Sequence, residues 1–361
     1  MTPGPEQSDL RAAIRGLLAE HSGIERVRTV TSAGPGYSPQ LWKTLVDDMS
    51  VTTLTVPEDR GGLGYGMVEL GIMLEECGRA LACEPVYTSA VLGVHALLSA
   101  DPSQDGDVLA GVLDGSLIAT VSALNTDTDH VRAEPTRAGW LLHGTATHLV
   151  VGGNADVAVV SAQCPHGRRL FATLPGAPLA RTERRVLDPT RRRADLSFDR
   201  SPAIALTDVD VTEATAARLG ELATLALACE NTGIVDRVLE MTVEYARTRH
   251  QFGRPIGSFQ AVKHRLADLL VTLERARSAS RYAAAIYAQD PASAALAVAV
   301  AGAVCTDAAV HAAAEAIQLH GGVGFTWEHP AHSYFRRAMG NEALQGDSRA
   351  HRARIATLIG I

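Results

Sequence analysis

The chain has 361 residues, 46% apolar and 20% charged, which is long enough to bury a large core and ordinary for a soluble globular protein of two or three subdomains. Its net charge of -7 lacks the basic excess that a phosphate backbone demands, and the short arginine clusters at Arg181, Arg184 and Arg185 and at Arg191 to Arg193 sit among acids, so nucleic acid is not an expected partner. Five scattered cysteines (Cys77, Cys83, Cys164, Cys229, Cys305), without close metal-ligand pairs, fit a reducing compartment and no metal site.

The first residues carry no basic stretch ahead of an apolar core, so no signal peptide is expected. From Leu10 onward the pattern is helical, with Leu10, Ile14, Leu17 and Leu18 and then Leu70, Met73, Leu74 and Cys77 at three- and four-residue spacing. Between these runs, Val56 to Gly66 is glycine-rich and precedes a helix, but it lacks a P-loop lysine and reads as a tight inter-helix loop. From Ser116 to Asp210 short apolar runs alternate with turn residues: Leu117 to Val121, Trp140 to Leu142, His148 to Val151, Val157 to Val160, Leu170 to Leu174 and Leu196 to Phe198. Long Ala-rich helices return from Thr212: one from Ala214 to about Thr248, one through Val262, Leu266, Leu269 and Leu273, one opened by Pro291 and ended at Gly321 and Gly322, and one from near His332. The apolar run Ala294 to Cys305 is shorter than the roughly 20 residues a bilayer needs, so a buried helix, no membrane and a cytoplasmic location are expected. These patterns predict a mainly α chain with a central β domain: helical over 1–115, β over 116–211 and a four-helix bundle over 212–361.

Two motifs stand out in the last third. Arg249, Phe252 and Gly253 form an Arg-x-x-Phe-Gly core, and Gln318, Gly321, Gly322 and Gly324 form Gln-x-x-Gly-Gly-x-Gly at the end of a helical run, with Pro330 following. In this order and spacing they resemble the acyl-CoA dehydrogenase family, and the loop Val56, Pro57, Glu58, Gly61, Gly62, Gly64 and the segment Glu75 to Leu81 extend the likeness over essentially the whole chain. The resemblance implies a helical N-terminal domain, a β-barrel-like middle domain, a C-terminal four-helix bundle and FAD-dependent desaturation of an acyl-CoA thioester.

Counting forward from Gln318, the family's catalytic glutamate falls on Gln345, and an amide cannot take the weakly acidic α-proton that requires a desolvated carboxylate. In members that carry the glutamate on the first bundle helix, the corresponding position is Ala223 here, followed by Thr224. Glu221 and Glu230 lie nearby on the same predicted helix, and Asp347 reads as a cap of the next helix; all three stay open as substitute bases. The family's flavin contacts in the β domain are also missing: Ser122 to His130 lacks the expected loop landmarks, the Trp-Ile-Thr strand becomes His148, Leu149 and Val150, and the preceding lysine is Ala146. By contrast Arg249, Phe252, Gln318, Gly321 and Gly322 match the residues with which a family member holds the FAD of a neighbouring subunit. A guanidinium pairs with phosphate oxygens, an aromatic packs beside the dinucleotide and adjacent glycines admit the backbone closely.

The resemblance therefore implies the non-catalytic subunit of a heteromeric enzyme, similar to those of actinobacterial steroid side-chain β-oxidation. FAD would be shared at a subunit interface, with no requirement that the isolated chain hold it. The implied partners are a catalytic acyl-CoA dehydrogenase subunit in an α2β2 assembly, an acyl-CoA substrate and electron-transfer flavoprotein. A homo-oligomeric dehydrogenase with a relocated base and a flavin-free interaction scaffold remain open as alternatives. His250, His264, His320, His329 and His332 show no clean metal-ligand spacing, and Phe325 and Trp327 read as packing residues at a subunit contact.

Overall fold

Apolar residues at helical spacing form helices at both ends of the chain, and the change of period between them marks a β domain. The computed structural model describes residues 4–122 and 130–361. Helices α1 (Pro5–His21), α2 (Ile24–Ser32), α3 (Pro39–Asp47), α4 (Met67–Ala80), α5 (Val94–Leu97) and α6 (Pro102–Leu113) come first. Strands β1 (Ala119–Val121), β2 (His130–Thr136), β3 (Gly139–Val150), β4 (Val157–Cys164), β5 (Gly167–Thr173), β6 (Leu179–Arg184) and β7 (Arg193–Ala205) follow. The remainder holds α7 (Val209–Thr248), the ribbon strands β8 (His250–Gln251) and β9 (Arg254–Pro255), α8 (Gln260–Gln289), α9 (Ala295–His320), α10 (Ala331–Gln345) and α11 (Ser348–Leu358). The fold is the expected one, mainly α with a central β domain.

Packing divides the chain into two compact units, one of Met1–Thr29, Gly66–Ala82 and Thr224–Ile361, the other of Val30–Tyr65 and Cys83–Ala223. In the first, α4 and α7 approach so closely that a Cβ on Gly233 would stand 1.8 Å from the Glu75 carbonyl oxygen, and one on Gly78 would stand 2.1 Å from that of Glu230. Only glycine permits that approach. Charges line the same contact: Arg11 donates to Glu75 and Glu76 at 2.7 and 2.6 Å, and Arg79 and Arg277 each reach Asp236 at 2.7 Å. Helix α9 is long and apolar enough, by composition, to cross a membrane. Its small residues, among them Ala301, Ala309, Ala312 and Ala316, are nevertheless buried against the neighbouring bundle helices, while Leu296 and Val300 are exposed. The apolar stretch is thus longer than the Ala294 to Cys305 run suggested. Besides the four long helices expected, the bundle carries a shorter fifth, α11.

In the second unit the strands close on themselves. β4 pairs β2, β2 pairs β3, β3 pairs β7, β7 pairs β5, and β5 pairs back to β4. The ring closes five of the seven strands, while β1 pairs only with β4 and β6 only with β7, and its interior is filled by Leu142, Leu149, Val160, Phe171, Leu196 and Phe198. Trp140 to Leu142 and His148 to Val151, read separately in the sequence, fall in one strand, β3, apart from Val151 just beyond its end, and the strand shows register shifts against β7. β6 escaped sequence reading because its residues are exposed nearly throughout, and β2 because only Val131 and Ala133 of its seven residues face the core. The glycine-rich loop is a tight turn: Gly62 N–H donates to Pro57 O and Gly64 N–H to Val56 O, with Gly61 and Gly64 at positive φ.

Candidate flavin-completing site

Two helix ends in the first unit carry the matched motifs. α7 ends at Thr248 and the chain turns back as the β8–β9 ribbon, whose two connecting residues, Phe252 and Gly253, have φ of 52° and 76°. A two-residue hairpin with both central residues left-handed matches the twist of its strands, and glycine supplies one of them without strain. The turn pushes the Phe252 ring into solvent at 91% exposure, touching only the edge of Phe259 at 6.0 Å. Arg254 lies over Phe259 at 4.1 Å, whereas the exposed Arg249 side chain makes no hydrogen bond or ion pair among the described residues. Arg249 and Phe252 are thus a charge and an aromatic surface left unused by the fold.

The second turn follows α9. Gly321 caps the helix at φ 59°, its N–H donating to Gln318 O, and Gly321–Phe325 form a single 3-10 turn. A Cβ on Gly321 or Gly322 would meet no atom within 4 Å, so the space beside both glycines is open. The Gln318 side chain is exposed and without a partner among the described residues. The two turns are brought side by side where the rings of Tyr245, on the last turns of α7, and His320, the last residue of α9, stand 4.5 Å apart. Exposed guanidinium, ring and amide with open glycine backbone suit the phosphates and adenine of a dinucleotide.

The position expected for a base is different. Gln345 ends α10 and is half-buried, with Gly346 at φ 94° turning the chain away. Asp347 caps α11, its Oδ1 accepting from Ala350 N–H at 2.9 Å. Glu230 is buried, its Oε1 accepting from Arg337 Nη1 at 3.0 Å and from Asn341 Nδ2 at 3.1 Å. Ala223 is fully buried, and Glu221 is half-buried on α7. Two groups near the Gln345 turn were not singled out in the sequence. Glu342, one helical turn before Gln345, has its carboxyl pushed up by burial and then by Asp347 and Asp307, and His351 is buried, its imidazole pushed down by that burial. Neither lies in a motif, so only packing reveals them.

In the β unit, Ala146, Leu149 and Val150 are buried, Leu149 within the barrel core, and His148 sits at φ 57° with its N–H donated to Asp195. Leu149 and Val150 therefore offer no exposed plate or hydroxyl for a flavin ring. The loop between Ser122 and His130 lies outside the described residues. The two turns thus carry groups that suit a dinucleotide, while the strand segment at Leu149 and Val150 offers no surface for its flavin ring.

Residues 4–115 match the model for the acyl-CoA dehydrogenase N-terminal domain and residues 221–359 that for the C-terminal domain. The chain is 36% identical to the acyl-CoA dehydrogenase IpdE2 of Mycobacterium tuberculosis over 95% of its length and 94% of the relative's. Among solved structures it is similar to the ChsE4-ChsE5 complex of Mycobacterium tuberculosis, with TM-score 0.88, 30% identity and coverage of 99% of this chain and 98% of that one. It is also similar to the Tcur3481-Tcur3483 steroid ACAD G363A variant, with TM-score 0.88, 29% identity and 99% of each chain covered. The chain belongs to the acyl-CoA dehydrogenase family.

Proposed function

We propose that this chain is the subunit of a heteromeric acyl-CoA dehydrogenase that lacks the proton-abstracting carboxylate and completes the FAD site of a catalytic partner. The observation that carries this reading is the pairing of an amide, Gln345, at the base position with exposed, unengaged binding groups at Arg249, Phe252 and Gln318. Arg249 would hold the pyrophosphate, Phe252 would pack on the dinucleotide, and Gln318 with Gly321 and Gly322 would receive its adenine end. FAD bound there would supply the acceptor for the hydride of acyl desaturation. The partner would supply the base and the strand beneath the ring.

Two of the similar solved structures pair differently named subunits, and one is of a steroid ACAD, which supports a bulky acyl-CoA of the steroid side-chain type as substrate. An α2β2 assembly, reoxidation by electron-transfer flavoprotein and a cytoplasmic location complete the proposal. The test is purification of the chain alone and together with its partner. Alone it is expected to be colourless and inactive; in the complex it is expected to hold FAD and turn over acyl-CoA. A yellow, active protein from this chain alone overturns the proposal, and one that stays flavin-free in its complex is a scaffold.

A homo-oligomeric enzyme with a relocated base is the second reading, favoured by the raised Glu342 carboxyl close to Gln345 in the chain. On that reading Glu342→Gln abolishes turnover by the isolated protein.

A further inference from the structure

His320 is 2% exposed, and its Nδ1–H donates to Ala316 O at 2.6 Å, leaving an Nε2 lone pair with no partner among the described residues. Its ring stands between two others: Tyr245, at 4.5 Å and tilted by 30°, and His329, at 4.1 Å and tilted by 41°. His329 Nδ1 accepts the Ala331 N–H at 3.3 Å, which puts its proton on Nε2. The three rings come from the end of α7, the end of α9 and the segment entering α10.

What each ring is attached to gives the stack its meaning. The Tyr245 carbonyl accepts the Arg249 N–H at 2.9 Å, so this ring is one hydrogen bond from the first flavin-facing turn. His320 lies two residues beyond Gln318 and directly before Gly321, so it anchors the second. His329 closes the chain after that turn, where Arg28 of α2 also donates to Trp327 O at 2.6 Å and Glu328 O at 2.7 Å. We propose that Tyr245, His320 and His329 are positioning residues, a ring stack that fixes the Arg249–Phe252 turn relative to the Gln318–Gly322 turn so that both hold one dinucleotide. This inference rests on the flavin-completing reading.

The stack works with neutral imidazoles. The charged and titratable groups around it are Arg28 of α2, itself paired with Glu25, the Tyr245 phenol of α7, and His332 and Arg336 of α10, the last over the Trp327 ring at 4.4 Å. A proton on His329 would face Arg28 and the neighbouring histidines. Burial, then His320, His332 and Arg28, push His329 down to about 4, and burial pushes His320 down, so both rings stay neutral around pH 7.

Amide hydrogen exchange on the full chain tests the idea without flavin or partner. His320→Ala is expected to speed exchange roughly tenfold in both turns, Arg249 to Arg254 and Gly321 to Phe325, and His320→Phe, which keeps a ring, to restore both. In the complex, His320→Ala is expected to raise the FAD Kd by about tenfold, and His320→Phe to stay within about twofold of wild type. Acceleration confined to the Gly321 turn, or no restoration by phenylalanine, overturns the brace. If His320→Ala does not fold, His329→Ala decides, and unchanged exchange at Arg249 to Arg254 in that variant is the overturning result. Arg249→Ala in the complex separates the two claims: unchanged FAD affinity there sinks the flavin-completing reading, while the exchange data still judge the brace.

Discussion

Arg337→Ala removes one partner of a buried ion pair whose side chains are only 1% and 3% exposed. The guanidinium donates to Glu230 Oε1 and to Ala82 O, both at 3.0 Å, so its loss takes the opposite charge from a buried carboxylate that also accepts from Asn341, and takes a donor from a buried carbonyl. Breaking a buried pair from one side costs about 3 to 5 kcal/mol, a large share of the roughly 5 to 15 kcal/mol that holds a domain folded. Urea denaturation followed by circular dichroism is expected to show this as a lowered midpoint. The double variant Glu230→Gln with Arg337→Met removes both charges and is expected to recover most of the loss, because the cost lies in the stranded charge more than in the missing attraction. A single variant costing less than about 1 kcal/mol would refute the claim that Glu230 is committed to structure, and would return it to the candidates for a relocated base.

In the complex, Arg249→Ala is expected to weaken FAD retention by about 1.5 to 3 kcal/mol through loss of a charge-assisted hydrogen bond, read by flavin fluorescence on dilution. Gln345→Glu in the isolated chain is expected to give no acyl-CoA turnover, and an active single variant would count heavily against the missing half-site. Gly233→Ala is expected to leave no stable fold, since its Cβ would stand 1.8 Å from the Glu75 backbone oxygen; thermal melting in wild-type fashion would disprove that contact. His329 is held neutral in the fold at about 4, below its free value near 6.5, so the unfolded chain binds its proton first as pH falls. Its contribution to stability is complete above about 6.5 and is lost as pH drops towards 4; His329→Phe is expected to flatten that part of the stability profile.

Much of the architecture was legible because periodicity records which face of an element is buried. The helix spacing of Leu10 to Leu18 and of Val262 to Ala276 and the switch to short runs after Ser116 survive in the structure. The motif residues could be counted into register because Gly253, Gly321 and Gly322 mark turns whose backbone the sequence can announce. Strand β6 was invisible, since an exposed, charged strand is held by its hydrogen bonds to β7 and not by an apolar pattern of its own, and β2 offers only Val131 and Ala133 to the core.

By itself, the sequence determined the family, the helical and β regions and the presence of an amide where a base is expected, because each of these is a matter of residue type and order. Tertiary structure alone decided that Glu230 is paired with Arg337, that Asp347 is used as a cap, that the Glu342 carboxyl is pushed up by burial and that rings from three distant segments meet beside the Arg249–Phe252 and Gln318–Gly322 turns. Those outcomes depend on which side chains meet across the bundle and how much water is removed around them, and neither is written in local spacing.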